Sequence, residues 1–169
     1  KKGDRLFYQR RGVDQVTDIL PDQSFGEVQP MYKMRDVEGA VFTVRMIGIG
    51  IIGLRPLITM GEAMALMRLL RNGQALEIPE NWKERHEACE FKLKTGKAQD
   101  AADLMKGLAV FYRDAPFLTR DLASFRMARK MLVSELAVVF GRSGDEMLWA
   151  VDGALNGWKL DEAWLLTSN

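Results

Sequence analysis

The sequence is poor in residues that make covalent or metal staples, with one cysteine, Cys89, in 169 residues. One thiol cannot close an internal disulfide or furnish a zinc cage, so the fold must rest on its hydrophobic core. Long apolar runs are missing too. Nothing approaches the roughly 20 apolar residues of a membrane span, and Lys1-Lys2-Gly3-Asp4 has no apolar signal-peptide region. A cytoplasmic protein with no membrane partner is the expectation. Charge of one sign is also lacking, and the net charge is +1. Residues 1–56 carry nine Lys and Arg against seven Asp and Glu, and the remainder fifteen against sixteen, so the two parts are +2 and −1. That balance argues against indiscriminate coating of nucleic acid, and permits a weak local contact delivered to DNA by a protein partner. Apolar residues make up 47% of the chain, enough for the core of one ordinary domain or two small ones.

The hydrophobic period changes near Pro56. Before it, short strands are predicted over 5–8, 13–20, 31–35 and 41–46, broken by Gly12, Pro21, Gly26, Pro30 and Gly39. In the last of these, Phe42, Val44 and Met46 share one face while Thr43 and Arg45 share the other, which turns Arg45 outward. So few short strands predict a small barrel or strongly curled sheet. After Pro56 the signals are helical. Thr59-Met60-Gly61-Glu62 has the form of a capping box, and Ala63, Leu66, Met67 and Leu70 make an apolar stripe. Pro79 opens a second predicted helix to about Leu93, and a third runs over about 98–114. Thr119 caps a fourth, whose core face is Leu122, Phe125, Leu132, Leu136 and Val139, and Ser143-x-x-Glu146 opens a fifth. The fold class is therefore α+β, a small β unit over 1–56 followed by about five helices over 57–169.

Three patterns suggest chemistry and fail on context. Gly48-x-Gly50-x-x-Gly53 matches the dinucleotide fingerprint, but Arg55-Pro56 keeps the chain extended where a helix must begin. His86 and Cys89 lie three apart on one predicted helix, with no evident orienting group or oxyanion site. Met60, Met64 and Met67 read as gap-filling core. No enzymatic activity, cofactor or metal is expected; a nucleotide-dependent enzyme using the glycine motif is the remote rival.

Three stretches carry a resemblance: Gly53-Leu54-Arg55-Pro56-Leu57-Ile58, Asn81-Trp82-Lys83-Glu84-Arg85-His86, and Ala128-Arg129-Lys130-Met131-Leu132-Val133-Ser134-Glu135-Leu136-Ala137. In order and spacing they resemble the CarD family of bacterial transcription regulators. Lys2-Gly3-Asp4, Tyr8 and Gly12-Val13 are similar to that family's N-terminal domain, which transcription-repair coupling factors share. The resemblance implies a Tudor-like domain docked on the RNA polymerase β subunit and a helical domain at the upstream edge of the bubble, near the −10 element. It implies stabilisation of the open promoter complex by a monomer associated with the nucleoid through polymerase. Arg45, with Thr43 on the same strand face, matches the polymerase-contacting position; Trp82 matches a tryptophan that wedges into the minor groove. Lys83, Arg85 and Lys92 are the candidate phosphate contacts around Trp82, set against exposed-looking Glu84 and Glu87. Trp149, Trp158 and Trp164 are assigned to core or C-terminal packing. A polymerase-binding adaptor without DNA activity is the nearest alternative.

Overall fold

Alternation of side chains across a pleated backbone shapes the first third of the chain. The computed structural model describes residues 1–9, 11–22, 29–45, 53–157 and 162–166. Five strands, β1 (Arg5–Tyr8), β2 (Gly12–Asp22), β3 (Gln29–Arg35), β4 (Val41–Arg45) and β5 (Leu54–Pro56), form one antiparallel sheet in the order β4-β3-β2-β1-β5. The sequence predicts only an extended link at Arg55-Pro56, yet the short β5 there pairs Leu6 with Pro56 and Tyr8 with Leu54. Met46, Gly48, Gly50 and Trp158 lie outside the described residues; after Gly53 the chain enters β5 rather than a helix.

Pro21 and Pro30 do not break the strands as expected, but face each other in register. The reason is local. Among the described residues Pro21 pairs with no residue of β1 and Pro30 with none of β4, so no described ladder on those sides needs the N–H that each lacks. Gly12 begins β2 with φ +107°, and a Cβ there would lie 2.5 Å from the Ser134 hydroxyl oxygen. The strand approaches a helix too closely for any side chain at that position.

Six helices follow among the described residues: α1 (Met60–Asn72), α2 (Trp82–Thr95), α3 (Ala98–Phe111), α4 (Thr119–Phe140), α5 (Gly144–Leu155) and α6 (Glu162–Leu166). Both capping boxes form, at Thr59 with Glu62 and at Ser143 with Glu146. Helix α2 starts later than Pro79 predicts, because Asn81 accepts from the Lys83 and Glu84 amides and so sets the first turn. Thr119 is the first residue of α4 rather than its cap. Met64 and Met67 are buried, whereas Met60, at the exposed start of α1, is not core. No described helix is long and apolar enough to cross a membrane.

One large core spans both regions. Phe7 and Val13 of the sheet belong to the same buried cluster as Leu66, Leu70, Leu104, Leu108, Leu132, Leu136 and Phe140. A smaller cluster of Val16, Met34, Val44 and Leu54 fills the sheet's own interior. The core face of α4 is rotated from the expected one: Leu122, Phe125 and Val139 are only partly buried, while Asp121, Ser124 and Glu135 are buried beside Leu132 and Leu136. These acids tolerate the core because arginines from other elements reach them. Arg55 of β5 binds Glu135 with two hydrogen bonds, 2.5 and 2.7 Å, donates to the Gly96 carbonyl at 2.9 Å, and lies 4.2 Å from the Phe7 ring centre. Glu135 also accepts from the Ile58 amide at 2.9 Å. The sheet is thereby clamped to the helices at a single carboxylate.

Candidate nucleic-acid interface

Trp82 is the first residue of α2, immediately after its Asn81 cap, and half of its surface is exposed (50%). A large ring at a helix start projects beyond the end of the cylinder, where packing from neighbouring turns cannot enclose it. Two cations flank the ring: Lys83 Nζ at 5.6 Å and the Arg120 guanidinium carbon at 5.3 Å from its centre. Beneath it a small cavity of about 150 Å³ is lined by Trp82, Arg85, His86, Leu118, Arg120 and Asp121, and the Leu118 side chain is itself exposed.

The expected phosphate contacts separate into two kinds. Lys83 is exposed at the ring. Arg85, by contrast, is buried, and its assignment to the DNA face is corrected: Nε donates to Asp121 at 2.7 Å, and Nη1 donates to the carbonyls of Pro79 and Glu80. Burial opposes its charge, but the hydrogen bond and attraction to Asp121 outweigh that and raise its pKa. Tyr112 donates its hydroxyl to the same Asp121; its pKa is raised by burial first, then by that carboxylate. Buried and turned to these partners, the guanidinium is not presented to a phosphate outside the fold. Lys92 is likewise engaged, 2.7 Å from Asp100, where it ties the end of α2 to the start of α3. Glu84 and Glu87 are exposed near Trp82.

The His86 and Cys89 pair has no nucleophile to offer. Cys89 is 1% exposed, and burial pushes its thiol up to about 11, so the thiolate is negligible near neutrality. His86 Nδ1 is buried without a hydrogen-bond partner among the described residues.

On the other region, Thr43 and Arg45 are exposed on β4, an edge strand, with Phe42 and Val44 turned toward the sheet interior. Trp149 is exposed, yet meets Trp164 of α6 edge to face at 6.3 Å, so it packs with the C-terminal helix.

A family profile described as "CarD, C-terminal domain" matches residues 65–152, just over half of the sequence and all within the helical region. The chain belongs to the CarD family. It is thus a CarD-like, transcription-related protein, in a family of non-enzymatic transcription factors. No curated protein matches the sequence. Within this CarD-family chain the three stretches that carried the resemblance prove mainly structural: Arg55 and Glu135, from the first and third, bind each other, and Asn81 and Arg85, from the second, cap and brace α2. Trp82 is the residue of the second stretch that turns a large apolar surface outward. Nothing in the linear sequence ties Arg120 to position 82; the packing of α2 on α4 brings them together.

Proposed function

We propose that this protein bridges RNA polymerase and promoter DNA: residues 1–56 hold the polymerase β subunit through Thr43 and Arg45, and residues 57–169 support the upstream edge of the transcription bubble, near the −10 element, through Trp82. The observation that carries the reading is the half-exposed indole at the start of α2, flanked by cations. An apolar plane lodged at a step already opened by melting avoids most of the unstacking cost of a few kcal/mol. A ligand that contacts open but not closed DNA shifts melting only by its differential affinity, and one stacked base is worth about 1 to 3 kcal/mol. Two weak contacts on one complex reinforce each other through effective concentration, which suits a chain of net charge +1. Neither contact needs catalysis or a cofactor.

Promoter opening measured with polymerase tests both halves. Trp82→Ala is expected to shorten the open-complex lifetime by about tenfold while leaving polymerase binding intact, in line with the loss of one stacking contact. Arg45→Glu is expected to abolish polymerase capture. Undiminished opening with Trp82→Ala sinks the wedge, and retained capture with Arg45→Glu sinks the docking assignment.

A second reading, a polymerase-binding adaptor without DNA activity, is favoured by exposed Glu84 and Glu87 and by the engagement of Arg85 and Lys92 in ion pairs. Tight binding to the isolated β lobe with none to a forked promoter fragment would select it.

A further inference from the structure

We propose that Arg120, at the start of α4, is a DNA phosphate contact of this chain, taking the place at the interface that Arg85 cannot fill. The inference rests on the DNA-wedge reading of Trp82 and extends it to a residue outside the stretches that carry the family resemblance. Arg85 is the arginine nearest Trp82 in sequence, but it is buried, bound to Asp121 and two backbone carbonyls inside the fold. Arg120 is next to Asp121 in the chain, but it is exposed where Asp121 is buried. Its side chain is exposed, its guanidinium lies 5.3 Å from the Trp82 ring centre, and no carboxylate partners it among the described residues. Lys83 lies 5.6 Å from the same ring centre.

An exposed aromatic plane with two cations beside it matches a strand junction, where a base face and backbone phosphates lie within one side-chain length. Stacking on Trp82 keeps the Arg120 fork in place without neutralising it, so its donors remain directed to an anion. The contact is with the backbone, so it carries no base preference. It adds charge where Glu84 and Glu87 subtract it.

The test is the salt dependence of binding to a forked promoter fragment, followed by fluorescence anisotropy with the full chain between 50 and 200 mM salt. One phosphate contact contributes about 0.9 to the log–log slope, so Arg120→Ala should flatten the slope by about one and lose roughly three times more affinity at the low-salt end. Arg120→Lys should keep most of the slope. Trp82→Ala should weaken binding while keeping most of the slope, because the Arg120 and Lys83 charges remain. Weaker binding by Arg120→Ala at an unaltered slope would show that the residue merely steadies the ring, and overturns the proposal. So would unchanged affinity for Arg120→Ala beside a loss for Trp82→Ala, a result that leaves the wedge standing. If Trp82→Ala also has no effect, or the wild-type chain does not bind the fork, the underlying reading fails with it. Loss of polymerase binding by Arg120→Ala with fork binding intact would assign the surface to protein instead.

Discussion

Arg55 and Trp82 stand in stretches of the same family resemblance, at opposite ends of α2, and their surroundings differ in kind. At the seam, Arg55 is held by partners within the fold: two bonds to buried Glu135, one to the Gly96 carbonyl, and the Phe7 ring against its plane. At the start of α2, Trp82 has cations beside it and half of its surface outward. A sequence motif marks both without distinguishing them. Partners do distinguish them, because a group whose hydrogen bonds and faces are satisfied within the fold has nothing left with which to bind.

The comparison breaks most visibly in stability. Glu135 is fully buried and serves Arg55 and the Ile58 amide at once, so Glu135→Ala strands a guanidinium and an amide. Breaking one partner of a buried pair costs about 3 to 5 kcal/mol, and for a domain of this size 1 kcal/mol lowers Tm by about 2 to 4 °C. Thermal or urea unfolding should therefore show a drop in Tm of about 10 °C for Glu135→Ala. Trp82→Ala should unfold within about 1 kcal/mol of wild type, since much of the ring is already in water. Equal losses from the two variants would put Trp82 in the scaffold with Arg55, and the contrast between seam and tip would disappear.

Much of this architecture is legible in the linear sequence. The two capping boxes at Thr59 and Ser143 need only local residues, and they form as the spacing predicts. The alternation through Phe42, Thr43, Val44 and Arg45 is equally local and sets which side chains face the interior. What escapes is long-range. Strand β5 has three residues and exists because β1 offers it an edge, a partner 48 residues away at Phe7 and Arg55. The core face of α4 is misread because Asp121 and Glu135 look solvent-facing until Arg85 and Arg55 arrive from other elements. Arg85 reads as a surface cation on the same ground, since a sequence does not say which arginine has met its acid. For the site, Trp82 is visible by motif, while Arg120 depends on the approach of two helices.

Asp14 sharpens the contrast from the acid side, with a smaller expected effect. Like Glu135 and Asp121 it is a buried carboxylate, at 2% exposure, but its Oδ2 has no hydrogen-bond partner among the described residues. It lines a groove of about 770 Å³ between the turns of the sheet and helices α4 and α5. Burial pushes its carboxyl up to about 6; Arg11 and Lys130 pull it down, and Asp36 pushes it up. With the folded value above the ordinary 3.8, the native state holds the extra proton between about pH 4 and 6. Its contribution to stability is therefore complete below that window and is lost as pH rises through it. Asp14→Asn, which mimics the protonated form, should be more stable than wild type by about 1 to 2 kcal/mol at pH 8, with the advantage fading to nothing near pH 4. Urea unfolding of both proteins across that range checks the sign directly, and parallel curves would mean that Asp14 has an internal partner after all and belongs with Glu135.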